Sequence, residues 1–191
     1  MERNELPSAA EVEQELKREN YKRRYRQVMK STIFALLTAS AVAVLVATLW
    51  LPVLQIYGAS MTPTLNDGEI VFSVKSSRLK QGEVVAFYYN NKILIKRVIA
   101  GPGDWVFIDE DGSVFVNSLQ LEEPYLTEKA FGLTDIELPY QVPDGKYFVM
   151  GDHRATSVDS RNTAVGCIAM DQVVGKIVFR VWPLEEIGFV S

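Results

Sequence analysis

Apolar and polar positions divide the chain into two parts with different periods. Residues 31–54 run from Ser-Thr-Ile-Phe-Ala-Leu-Leu to Trp50-Leu51-Pro52-Val53-Leu54 without a charged side chain. A helix of that length crosses a bilayer core of about 30 Å. Thr38, Ser40 and Thr48 can return their hydroxyls to the helix's own carbonyls. Trp50 and Tyr57 suit the far interface, and Pro52 weakens the helix near its exit. The competing readings are a cleaved signal sequence and a buried core helix. A cleaved sequence carries a shorter apolar core close to the N-terminus. Here thirty mostly polar residues come first, so the pattern predicts a retained membrane span.

Those leading residues have their own character. Residues 1–9 are polar and contain Pro7. Residues 10–30 are rich in Ala, Glu, Lys and Arg and lack Pro and Gly, which predicts a helix lying in solvent or on a charged lipid surface. Seven Lys or Arg fall within 17–30 against one acid, Glu19. Basic residues beside a span remain cytoplasmic. The expected topology is therefore an N-terminus inside and everything after residue 57 outside.

From residue 68 the period changes to two. Short runs at 68–74, 83–89, 92–100, 105–109, 113–117, 147–150 and 173–182 are rich in Val, Ile, Phe and Tyr. Asn90-Asn91 and Asp111-Gly112 supply hairpin turns. Residues 119–143, with Pro124, Gly132, Pro139 and Pro143, read as an extended excursion. The fold class is mostly β: one membrane helix followed by an antiparallel β domain. The predicted division is a basic helical tail at 1–30, a span at 31–56 and a β-rich domain at 57–191.

Composition narrows the chemistry. The net charge of −4 argues against nucleic acid as a partner. One cysteine, Cys167, forms no intrachain disulfide and reads as a small buried apolar residue. Cys167 and the single histidine, His153, are too few for a protein-only zinc site. Asp109, Glu110 and Asp111 before Gly112 lack calcium-loop spacing and read as a solvated turn. Neither a metal nor an organic cofactor is expected.

Three segments carry candidate chemistry. Ser60 lies in Tyr57-Gly58-Ala59-Ser60-Met61-Thr62-Pro63-Thr64-Leu65, where small residues allow a substrate backbone to approach. A serine needs a base to act as a nucleophile; otherwise Ser60 is one loop serine among many. Lys96 lies in Ile93-Leu94-Ile95-Lys96-Arg97-Val98-Ile99. Alternation sets it beside Leu94 and Val98. Aliphatic surroundings lower an amine's pKa toward that of a general base. The competing role is a charged guard on an edge strand. The third segment, Gly151-Asp152-His153-Arg154-Ala155-Thr156-Ser157-Val158-Asp159-Ser160-Arg161, crowds acids, bases and hydroxyls into one loop. Asp159 and Arg161 can pair there, and Ser157 can orient a nearby amine. The competing reading is a polar surface turn.

Together, Ser-Met-x-Pro-Thr-Leu at 60–65, Lys-Arg-Val-Ile-x-Gly-x-Gly-Asp at 96–104 and Gly-Asp-x-Arg-x-x-Ser-x-Asp-Ser-Arg at 151–161 resemble the signature boxes of type I signal peptidases. Val114-Phe115-Val116-Asn117 followed by Glu123-Pro124-Tyr125-Leu126 is similar too, and the likeness covers residues 31–183. It is nearest to the short Gram-positive form. The resemblance implies Ser60 as nucleophile and Lys96 as base. It also implies Ser157 as the group orienting Lys96, Asp159 and Arg161 as braces, and the Ser60 N–H as an oxyanion donor. Some members carry a hydroxyl donor two residues before the nucleophile, where this chain has Gly58. The loop reads Gly-Asp-His-Arg in place of Gly-Asp-Asn-Arg, so a Ser60–His153 pair is the rival mechanism.

The implied activity is removal of signal peptides from exported preproteins by a single-pass membrane enzyme with an extracytoplasmic catalytic domain. Its implied partners are those signal peptides, the lipid bilayer and the protein export machinery. The competing functions are another Ser/Lys processing protease and an inactive, membrane-tethered β scaffold that binds peptides.

Overall fold

The computed structural model describes residues 9–50 and 52–190, without the side chains at 11 and 47–50. The roles expected of Thr48 and Trp50 therefore lie outside the described residues. The helix α1 spans Ala9–Trp50, 42 residues. The two helices expected at 10–30 and from 31 onward are one element. No Pro or Gly falls between 8 and 51 to break it. Along its polar half, Glu13 pairs with Lys17 and Glu19 with Lys22, each at 2.8 Å. Along its apolar half, Ile33, Phe34, Leu36, Leu37 and Val42 are all exposed. Thr38 Oγ1 donates back to Phe34 O at 2.9 Å. A helix this apolar and this long is able to cross a bilayer.

The helix ends earlier than the predicted span. Residues 53–55 are strand β1 (Val53–Gln55), paired with β2 (Ile70–Val74). Pro52 cannot continue a helical hydrogen-bond ladder. The expected helical limit at 56 thus moves back to 50, and the next residues join the β unit.

That unit contains β3 (Val84–Tyr89), β4 (Lys92–Ala100), β5 (Trp105–Ile108), β6 (Val114–Val116), β7 (Leu119–Gln120) and β8 (Tyr140–Gln141). It continues with β9 (Lys146–Met150), β10 (Ile168–Ala169), β11 (Val173–Trp182) and β12 (Gly188–Phe189). The larger sheet runs β1-β2-β11-β3-β4-β9-β10, with β12 also on β11; the smaller runs β7-β6-β5-β8. The pairings are antiparallel. The β3–β4 hairpin turns at Asn90, φ 51°, and the β5–β6 hairpin at Gly112, φ 82°. Both are left-handed conformations that Asn and Gly tolerate.

Two features of the sheets position the site. β4 pairs with β3 along 92–97, but with β9 only from Arg97 to Ala100. On the β9 side, residues 92–96 therefore present a free backbone edge. In addition, Ile56, Met61 and Leu65 are buried in one core cluster with Val71, Val84, Ala86 and Ile177. The segment around Ser60 is pinned to the core on both sides. Cys167 is half-buried rather than buried; it flanks a second cluster that includes Ile99, Val106 and Phe148.

Candidate active site

Ser60 sits on a tight turn. Thr62 N and Oγ1 both donate to Ala59 O, at 3.2 and 2.8 Å, and Leu65 N donates to Met61 O at 2.9 Å. Ser60 O in turn accepts the His153 N–H at 3.1 Å. That bond joins the turn to the loop following β9. The Ser60 N–H has no acceptor among the described residues.

Lys96 approaches from β4. It stands opposite Val85 in the ladder and is 3% exposed. Val85 and Val98 are buried in one cluster, with Leu94 packed against it, as the alternation predicts. Lys96 Nζ lies 2.7 Å from Ser60 Oγ. Burial lowers the pKa of this amine from 10.5 to about 8, opposed by the charges of Asp159 and Asp152 and reinforced by Arg161. The amine is thus close to the hydroxyl and partly neutral near pH 7, the two properties a general base requires.

In the loop at 151–161 the charged residues Asp152, Arg154, Asp159 and Arg161 are buried, unlike those of the polar surface turn considered above, while His153, Ala155, Thr156 and Val158 are exposed. Asp159 accepts Gly151 N–H at 2.9 Å and is held by Arg161 through Nε and Nη2, both at 2.9 Å. Arg161 also donates to Phe131 O and Arg154 O, each at 2.9 Å. The geometry departs from the expectation at Ser157. Its Oγ is buried and unpartnered among the described residues, so the orienting bond to Lys96 is not formed. The hydroxyl instead lies against Gly151, where a Cβ would be 2.2 Å from it and 2.5 Å from Ser60 O. His153 is exposed, and its Nδ1 is 2.8 Å from Thr156 Oγ1.

A second set of buried charges was not singled out from the sequence. Arg97, adjacent to Lys96, holds Asp152 through Nε at 2.9 Å and Nη2 at 2.7 Å. Thr64 Oγ1 donates to Asp152 Oδ2 at 2.6 Å. The Arg97 guanidinium also lies 3.8 Å above the Tyr125 ring. Tyr125 OH donates to Glu123 Oε1 at 2.8 Å, and Glu123 pairs with Arg154. Arg154 Nε donates to Gly151 O at 3.1 Å. These contacts tie the Ser60 turn, β4, the excursion and the loop into one network. Their sequence signal was present, since Arg97, Asp152 and Arg154 lie inside the quoted boxes. The Arg154–Glu123 and Arg97–Asp152 pairs span 31 and 55 residues, beyond the reach of a local pattern.

A groove of about 650 Å³ leads up to Ser60 and Lys96. It is lined by residues 53–58, 60 and 61 on one side and 91–96 on the other. Its side chains include Leu54, Ile56, Ile93 and Ile95. Both flanks are backbone edges, since among the described residues β1 pairs only with β2 and residues 92–96 lack a partner on the β9 side.

Comparison with known proteins adds the following. A family profile described as signal peptidase, peptidase S26, matches residues 29–182. Signal peptidase I of Bacillus amyloliquefaciens is 37% identical over 164 residues, covering 80% of this chain and 88% of that one. Signal peptidase IB of Staphylococcus aureus (strain MRSA252) is 40% identical over 154 residues, covering 70% and 79%. A crystal structure of a signal peptidase I from Enterococcus faecalis V583 aligns with a TM-score of 0.45 and 27% identity, over 52% of this chain and 97% of that one.

Proposed function

The chain belongs to the S26 family of signal peptidases, and we propose that Ser60 and Lys96 perform its peptide hydrolysis. The protein is a membrane-tethered serine endopeptidase acting on preproteins that carry signal peptides. The observation that carries the residue assignment is the 2.7 Å contact between Lys96 Nζ and Ser60 Oγ in a buried setting.

In the first step Ser60 Oγ attacks the scissile carbonyl while neutral Lys96 takes the hydroxyl proton. At pH 7 a pKa of about 8 leaves roughly 300 times more neutral amine than a pKa of 10.5 would. The Ser60 N–H donates to the developing oxyanion. Gly58 supplies no second donor, because it has no side chain and its N–H is bonded to Asp67 Oδ1 at 2.6 Å. Lys96 then gives its proton to the leaving amine, and the acyl-enzyme forms. A water activated by Lys96 attacks the ester, releasing the signal peptide and restoring Ser60. Asp159 and Arg161 hold the loop behind the site. The buried Ser157 hydroxyl is the acceptor for Lys96 when its bond to Ser60 breaks.

The groove suits an extended peptide that adds as a strand between β1 and the open edge of β4. Its aliphatic walls favour the small residues that precede the cut in signal peptides. Ser60 follows the end of α1 by ten residues, in keeping with a substrate whose apolar segment is itself in the bilayer. The basic run at 17–30 supports a cytoplasmic N-terminus and an extracytoplasmic catalytic unit. Protease added outside spheroplasts should therefore digest the β unit, and its protection there would reverse the topology. Ser60→Ala should abolish cleavage of a preprotein while leaving the protein folded. A folded Ser60→Ala protein that cleaves at a rate comparable to the parent would remove Ser60 from the mechanism.

A further inference from the structure

Two residues before Ser60 the backbone turns at Gly58 with φ +86°, and nothing lies within 4 Å of where a Cβ would stand. Glycine is required there by its dihedral angle and not by lack of room. So free a residue beside a nucleophile needs something to hold it. The Gly58 N–H donates to Asp67 Oδ1 at 2.6 Å.

Asp67 is exposed, but the turn that carries it is firmly anchored. Leu65 is fully buried. The buried carboxylate of Glu69 accepts from Arg180 Nη1 at 2.9 and 3.0 Å and from Asn66 Nδ2 at 3.1 Å. Backbone pairing between the two segments runs through Ile56, whose N–H donates to Glu69 O at 2.8 Å and whose carbonyl accepts Gly68 N–H at 2.9 Å. Beyond Ile56 the Asp67 side chain takes over from the backbone and extends the ladder to Gly58.

We propose that Asp67 is a positioning residue for the hydrolytic reaction: its carboxylate fixes Gly58 and thereby aims the Ser60 hydroxyl and N–H. Asp67 lies outside the three boxes read from the sequence. The proposal rests on Ser60 being the nucleophile. Because the same bond occupies the Gly58 N–H, the direction of the Ser60 N–H matters more for the oxyanion.

The test uses the full-length protein in detergent with a preprotein substrate. Asp67→Ala removes the acceptor, and kcat should fall roughly tenfold to a hundredfold, the range of one charge-assisted hydrogen bond. KM should stay within about twofold, since most of the groove lining, at 53–57 and 91–96, does not depend on Asp67. The pH midpoint set by Lys96, about 8, should not move, because Asp67 is not among the charges acting on that amine. Asp67→Asn keeps an oxygen acceptor and should restore most of kcat, and both variants should unfold at the parent temperature. A parental kcat in Asp67→Ala, a change confined to KM, or an Asp67→Asn as impaired as Asp67→Ala would each overturn the proposal. Ser60→Ala run in parallel separates the two claims. If it is active, the nucleophile assignment fails; if it is inactive, the Asp67 result stands on its own.

Discussion

The two faces of β4 treat adjacent cations in opposite ways. Lys96 and Arg97 are neighbours in sequence and almost equally buried, at 3% and 1% exposure. On one face, Arg97 has a bidentate carboxylate, the Gly82 carbonyl at 2.7 Å and an aromatic ring. On the other, Lys96 has aliphatic neighbours and a hydroxyl at 2.7 Å. Desolvation is the same problem for both. The charge of Arg97 is compensated by the Asp152 carboxylate buried with it. Lys96 can shed its proton because the amine, unlike a guanidinium, is titratable within reach of working pH. One strand thus carries a structural cation and, on the proposed mechanism, a reactive one, separated by side-chain alternation.

The contrast breaks most completely if the reactive position is made like its neighbour. Lys96→Arg should reduce cleavage by roughly a thousandfold or more, because guanidinium stays protonated, and Lys96→Ala should do the same. In the parent enzyme the rate should climb with pH through a midpoint of about 8. A folded Lys96→Arg enzyme with substantial turnover would dissolve the distinction between the faces.

Stability should sharpen it with opposite signs. Arg97→Met leaves Asp152 buried without its partner and should cost about 3–5 kcal/mol in thermal or denaturant unfolding. Lys96→Met should instead stabilise the fold near pH 7. The folded-state pKa of Lys96 lies below the unfolded value of 10.5, so below about pH 8 the amine is charged in both states and costs the fold about 3 kcal/mol. That cost disappears as pH rises from about 8 to 10.5, so the parent gains stability over this window and Lys96→Met should not. Equal destabilisation by both methionines would contradict the comparison.

The smallest effect belongs to His153→Asn. Its imidazole is exposed and bonded to Thr156, so kcat/KM should remain within about twofold of the parent and the pH midpoint should persist. Loss of activity in this variant, alongside an active Lys96→Ala, would favour the Ser60–His153 mechanism.

What could be read in advance follows from the range of the forces involved. Strand period, hairpin turns and the aliphatic setting of Lys96 are local, and the sequence displays them within a few residues. The limits of α1 were misjudged because apolar residues 53 and 54 continue the hydropathy of the span, while the Pro52 break and pairing with β2 decide their conformation. The Arg97–Asp152 and Arg154–Glu123 pairs join residues far apart in the chain, so no window contains both partners. Ser157 was assigned from resemblance. Its place against Gly151 is set by how the loop folds back on the turn.

The unbroken course of α1 also governs how the polar tail meets the membrane. An amphipathic tail can lie flat on a bilayer only if a bend separates it from the spanning segment. Residues 9–50 contain no Pro or Gly to form one. With the apolar part upright, residues 9–30 must leave the lipid plane like a mast, rising about 33 Å at 1.5 Å per residue. In that arrangement the cations nearest the span would meet headgroups, while those near Lys17 would stand in the aqueous phase.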